Sequence, residues 1–297
     1  MYDKSDPRAA LAPAATGKPK TGLIAEEQLA TFYDSPPQIE DETGRTWLVR
    51  GHNFVVAYSD LKPGAVFTRS GQPDEYVVLL PDAGAQITAC GETKQVAANS
   101  IAFVPPGDSQ MVMPKGGNLV RLFTARSTDL VDLCPNAGAY DQPRTHIPEF
   151  QAWPEPADGL KIRHYSLDVP KQEGRFGRIF RCTTFMVNML DAYDGPRDTS
   201  KMSPHHHDDF EQCSLLLKGQ YTHHLRWPWT TDLADWKDDK AISVGAPSAI
   251  VIPPPAIHTS RATGADRNQM VDIFCPPRLD FSKKPGWVLN QDDYPFE

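Results

Sequence analysis

From residue 54 onward, short apolar runs alternate with breaks made of Gly, Pro and Asp. The runs cover 54–58, 76–80, 101–104, 119–123, 180–189, 213–217, 249–252 and 270–274. They are too short and too rich in β-branched and aromatic residues for amphipathic helices, and each is bounded by turn residues, so they predict strands. Twenty-eight prolines and the lack of long helical periodicity point the same way. The expected fold class is all-β, a sandwich or barrel.

Laying the chain on itself exposes a repeat. Ser100-Ile-Ala-Phe-Val-Pro-Pro-Gly-Asp-Ser-Gln110 matches Ser248-Ala-Ile-Val-Ile-Pro-Pro-Pro-Ala-Ile-His258 in character: an apolar strand, a proline pair, then a polar residue. Upstream, Glu75-Tyr-Val-Val-Leu-Leu matches Glu211-Gln-Cys-Ser-Leu-Leu, and the two pairs occur in the same order. The second copy is longer, and the extra length falls around Arg226–Asp239, a stretch rich in tryptophan. The organisation expected is an N-terminal arm (1–42), a first β domain (43–134), a Pro- and charge-rich joining segment (135–174) and a second β domain (175–297).

Composition narrows the function class. The 297 residues are 40% hydrophobic, enough for a substantial core. No apolar run approaches the roughly 20 residues of a membrane span, and the N-terminal stretch is too broken by charge and proline for a signal peptide. Five scattered cysteines with no CxxC pair argue for reduced thiols. These features give the expectation of a cytoplasmic protein. A net charge of -8 without a basic block excludes nucleic acid and anionic membrane as main partners and leaves a small-molecule substrate.

The chemistry is concentrated in Ser203–Gly219, SPHHHDDFEQCSLLLKG. Imidazoles and carboxylates placed directly before a leucine run are costly to bury unless a metal ion offsets their desolvation. On a strand His205 and His207 project together while His206 points away, and Glu211 has the same parity unless a loop intervenes. The strand ending in Pro253–His258 could bring a third imidazole, His258, to the same interior. Gln212, beside Glu211, could orient a ligand or water, although by the same alternation it faces outward. Three imidazoles and one carboxylate suit Fe(II), Mn(II), Ni(II), Zn(II) or Cu(II) and leave positions open.

The HxHxxxE pattern at His205, His207 and Glu211, followed by Gly219, resembles the first cupin motif, and PxxxxH at Pro253–His258 resembles the second. The spacing from Glu211 to Gly219 is one residue longer than usual, and Pro255 stands where glycine is typical. The resemblance is to a two-domain bicupin. It implies two tandem double-stranded β-helix (jelly-roll) barrels, with one divalent transition metal in the C-terminal barrel held by His205, His207, Glu211 and His258. In the first half the aligned positions are Arg69, Gly71, Glu75 and Gln110, a set that cannot replace three imidazoles. That barrel is expected to be metal-free.

Pocket candidates follow on the strand after the Gly219 turn. Tyr221 and His223 share one face; Arg226, on the other, either holds a substrate carboxylate or pairs with a nearby aspartate. Trp227, Trp229 and Trp236 could form an apolar lid or simply anchor a long loop. The function expected is a metal-dependent enzyme acting on a small oxygen-rich metabolite. The tryptophan-bearing insertion inclines the reading toward an Fe(II) dioxygenase. The alternatives are a Mn-, Ni- or Zn-dependent isomerase, decarboxylase or lyase of a sugar acid or keto acid, and a non-catalytic binding barrel. Fused barrels reproduce a dimer contact within one chain, so monomer and homodimer are both open.

Overall fold

The computed structural model describes residues 22–296. Half of the expected N-terminal arm, residues 1–21, lies outside the described residues. The structure is nearly all β and forms two barrels, each a large antiparallel sheet facing a small one.

In the first barrel a seven-stranded sheet runs Arg163–Ser166, Ser100–Val104, Tyr76–Leu80, Gly117–Thr124, Phe54–Leu61, Gly44–Arg50 and Ile39–Asp41. It faces a four-stranded sheet of Ala65–Gln72, Gly107–Met113, Ala85–Ala89 and Glu92–Val96. In the second barrel the large sheet runs Gln28–Thr31, Ser248–Ile252, Glu211–Lys218, Arg267–Cys275, Met186–Met189 and Arg178–Arg181. The short strand Tyr193–Asp194 also pairs with Arg267–Cys275. The opposing sheet has three strands: Lys240–Gly245, Gln220–Arg226 and Ile257–Ala262.

The two barrels exchange their leading strands. Gln28–Thr31, which precedes the first barrel, adds to the edge strand Ser248–Ile252 of the second. Arg163–Ser166, which precedes the second barrel, adds to Ser100–Val104 of the first. Gln28–Thr31 of the arm and Arg163–Ser166 of the joining segment are therefore structural parts of the opposite half, and each covers a sheet edge that would otherwise be exposed.

Strands Tyr76–Leu80 and Glu211–Lys218 are buried on both faces for most of their length, which explains why they read as continuous apolar runs. One face lines the strand's own barrel: Val78 and Leu80 pack with Leu119 and Phe123 inside the first. The other face packs across the junction. Val77, Leu79, Val120 and Leu122 meet Cys213, Leu215, Val251 and Ile273 in one core shared by both halves. Each buried aliphatic side chain there contributes roughly 1.5–3 kcal/mol. No helix among the described residues is long and apolar enough to cross a membrane.

Candidate metal centre

The backbone at His205 and His258 is locked by a two-bond antiparallel bridge, His205 N–H to the His258 carbonyl at 3.0 Å and the reverse at 2.7 Å. This places the two imidazoles side by side with ring centroids 4.4 Å apart, and His207 completes the group at 5.0 and 5.3 Å. One ring nitrogen from each of the three lies within 4.8 Å of the others. His206 points away, exposed.

The hydrogen bonds around the rings fix which nitrogens face inward. Nδ1 of His205 donates to the Ser203 carbonyl at 2.9 Å, and Nδ1 of His258 donates to the Ala256 carbonyl at 3.0 Å. In a neutral imidazole a proton on Nδ1 leaves Nε2 with a bare lone pair, the form that ligates metal. His207 is held well below its ordinary pKa, first by burial and then by Arg278 and the two other histidines, so it too is neutral.

The fourth member is Gln212, not Glu211. The amide Nε2 of Gln212 donates to Asp272 Oδ1 and to Ser214 Oγ, both at 3.1 Å. A carboxylate only accepts, so Asp272 fixes the amide orientation and turns Oε1 toward the imidazoles. Oε1 lies 2.9 Å from His207 Nε2 and 3.3 Å from His258 Nε2. With Nδ1 of His258 donating to the Ala256 carbonyl, a neutral ring turns its Nε2 lone pair toward the amide oxygen. A cation between them satisfies that arrangement better than any hydrogen bond. The donor set of three neutral imidazoles and an amide oxygen therefore fits a divalent transition metal.

The expectation for Glu211 is corrected. Its carboxylate accepts from the His52 backbone N–H at 2.7 Å and from the Tyr140 phenol at 2.9 Å, on the opposite face of the strand. Burial pushes its pKa up to about 7, opposed by those hydrogen bonds. Residues 206–210 are irregular, so parity counted from His207 does not carry into the strand that begins at Glu211. The expected outward direction of Gln212 fails for the same reason. The extra residue counted between Glu211 and Gly219 disappears when the count starts at Gln212. Gly219 suits its turn: its φ is +89°, and a Cβ there would lie 2.9 Å from the Arg267 carbonyl oxygen.

Glu75 repeats this arrangement in the first half. It accepts from the Thr183 backbone N–H at 2.9 Å and from the Tyr294 phenol at 2.5 Å, both from the second half of the chain. The matched glutamates of the sequence repeat are thus a reciprocal interlock between the barrels.

His223 and Tyr221 lie inside the second barrel, buried and with near-parallel rings 6.4 Å apart. His223 Nδ1 is 2.7 Å from Ser260 Oγ, and its buried Nε2 has no hydrogen-bond partner. Burial, with His258 and His224 nearby, lowers its pKa to about 4, so the ring is neutral. Burial likewise raises the Tyr221 phenol.

Arg226 is corrected as a pocket residue. Its side chain is 67% exposed and its Nε donates to both oxygens of Asp239 at 2.9 and 3.0 Å. Trp229 and Trp236 stack on each other at 4.5 Å while 74% and 40% exposed, and Trp227 is anchored to the Ala25 carbonyl. The insertion is a packed surface loop, not a lid.

No family model and no curated protein matches this chain. Solved structures do. AerE from Microcystis aeruginosa aligns with a TM-score of 0.55 at 9% identity, covering 86% of this chain and 99% of that one. An oxalate decarboxylase formate complex from Lactobacillus farciminis gives 0.55 at 15% identity, with 87% and 88% covered. A single-substitution variant of Bacillus subtilis oxalate decarboxylase gives 0.52 at 12% identity, with 86% and 78% covered. At these identities the likeness concerns the fold. Together with the two exchanged barrels, it shows that the chain has the two-barrel, all-β fold of these structures.

Proposed function

We propose that the chain is a metal-dependent enzyme whose C-terminal barrel acts on a small, oxygen-rich carboxylate, through decarboxylation, isomerisation or lyase chemistry. The observation that carries this is the convergence of His205, His207, His258 and Gln212 Oε1 on one point, with a neutral histidine nitrogen, His223 Nε2, left unpartnered in the same interior. A divalent metal held there supplies Lewis acidity, polarising a bound oxygen and stabilising negative charge that develops next to it.

The donor set also sets the ligand preference. With Gln212 in place of a carboxylate, no proposed ligand is a carboxylate, and Asp272 acts from behind the amide. Such a centre keeps the full charge of its ion and favours an anionic chelating substrate. His223, Tyr221 and Ser260 would hold the remaining oxygens and position the proton that moves. The dioxygenase reading loses support, because Trp229 and Trp236 are on the outer surface and Trp227 is packed in an apolar cluster with Ile24, Leu225 and Ile252. Oxalate decarboxylases among the structural neighbours accord with a small carboxylate as substrate class.

Cobalt-substituted protein tests the reading. Oxalate, pyruvate and lactate should each perturb the Co(II) absorption spectrum saturably, and their methyl esters should not. A spectrum unmoved by any of them would leave a barrel without an open position and overturn the enzyme reading.

A further inference from the structure

The N-terminal barrel has no imidazole cluster, and a guanidinium occupies its interior instead. Arg121 lies on Gly117–Thr124 with the same parity as Leu119 and Phe123, which belong to that barrel's own core. Its guanidinium carbon stands 4.0 Å from the centre of the Phe67 ring and 5.9 Å from that of Phe123. The residue is 7% exposed, so the group is desolvated without being sealed from solvent.

Its polar contacts fall short of its charge. Nη2 reaches Ser59 Oγ at 3.5 Å, the outer limit of a hydrogen bond, and the buried Nε has no partner. Two other buried arginines have a carboxylate partner, Arg163 with Asp158 and Arg278 with Asp280 at 2.6 Å, while Arg181 donates to the Tyr294 carbonyl. Among the described residues no ion pair is formed by Arg121. Burial accordingly lowers its pKa to about 10, and Arg69 adds to that lowering. Arg69 is itself held by Asp129 and Gln72. The Tyr76 phenol, 2.9 Å from Ser109 Oγ, interacts with both guanidinium groups.

A desolvated guanidinium is best compensated by a planar oxoanion that accepts from two of its N–H groups at once. The aromatic rings at its side suit a flat carboxylate. We propose that the interior of the N-terminal barrel binds a small carboxylate, anchored by Arg121, with the Tyr76–Ser109 hydroxyl pair as its second contact. This site is separate from the histidine cluster and needs no metal. Gln110, the position aligned with His258, is exposed, while Ser109 points inward.

The test uses the full chain stripped of metal, with malonate as probe, dimethyl malonate as control, and thermal shift and calorimetry as readouts. The expected result is a saturable rise in Tm with malonate only, retained in His258→Ala, at least tenfold weaker in Arg121→Lys and absent in Arg121→Met. No saturable binding to the wild-type chain overturns the proposal, as does equal affinity in Arg121→Met. Should Arg121→Met fail to fold, Arg121→Lys decides, because it keeps the charge and loses the planar fork; undiminished affinity there also overturns it. Work on metal-free protein separates this outcome from that of the metal-centre reading.

Discussion

Glu75 and Glu211 begin corresponding strands of the two barrels and meet corresponding surroundings. Each carboxylate is capped by a tyrosine phenol and by a backbone N–H drawn from the opposite half of the chain. The next residue along separates the halves. Tyr76 hydrogen-bonds Ser109 inside a barrel with a buried guanidinium, whereas Gln212 presents its oxygen to the imidazoles of His207 and His258. What the barrels share is therefore their means of joining, and what differs is their interior chemistry. The reciprocal strands and glutamates are the contacts a symmetric dimer of single barrels would make, held here within one chain.

If the glutamates are an interlock, weakening either one should cost stability alike. Tyr140→Phe and Tyr294→Phe each remove a phenol donor from a buried carboxylate and should each lower the unfolding free energy by about 1.5–3 kcal/mol in urea titrations. A loss confined to one of them would break the equivalence.

The comparison is sharpened at Gln212. Gln212→Glu places a carboxylate among the imidazoles and next to Asp272, which should tighten metal binding. It should also weaken anionic ligands by about tenfold, roughly 1.4 kcal/mol, in a titration of the cobalt protein with oxalate.

A smaller effect concerns pH. Burial raises the pKa of Glu75 above its ordinary value, more than the Tyr294 and Thr183 hydrogen bonds lower it. The folded state then binds this proton more tightly than the unfolded state. Its contribution to stability is complete below about pH 4.5 and is lost as pH rises through the raised value. Glu75→Gln should flatten that decline by at most about 1.4 kcal/mol per pH unit, leaving the share that Glu211 contributes up to about pH 7. An unchanged slope in denaturation midpoints between pH 4.5 and 7 would contradict the assignment.

Much of this was legible in the sequence, and the errors have physical causes. Apolar runs buried on both faces, such as Tyr76–Leu80, announced strands directly, and the proline-pair repeat exposed the duplication. The histidine cluster was readable because few structures other than a ligand site bring HxH beside a distant strand-end histidine. Glu211 misled because its spacing from His207 fits HxHxxxE, whereas a glutamate also present at Glu75, in a half without the histidine cluster, is better explained by a contact both halves need. The spacing of seven residues from Gln212 to Gly219 carried the correct assignment. Asp272 was out of reach, because only the pairing of Ser214 with Asp272 across two strands brings that carboxylate behind the amide. Tyr140 and Tyr294 were equally hidden, since nothing local in a loop or tail specifies a partner in the other barrel.

The most direct test is the metal content, by elemental analysis, of tag-free protein purified without oxygen, compared across wild type, His258→Ala and Glu211→Gln. One equivalent of a divalent transition metal in wild type and in Glu211→Gln, and none in His258→Ala, is the predicted result. Metal retained without His258, or lost with Glu211→Gln while the protein stays folded, would contradict a centre built on the three histidines and Gln212.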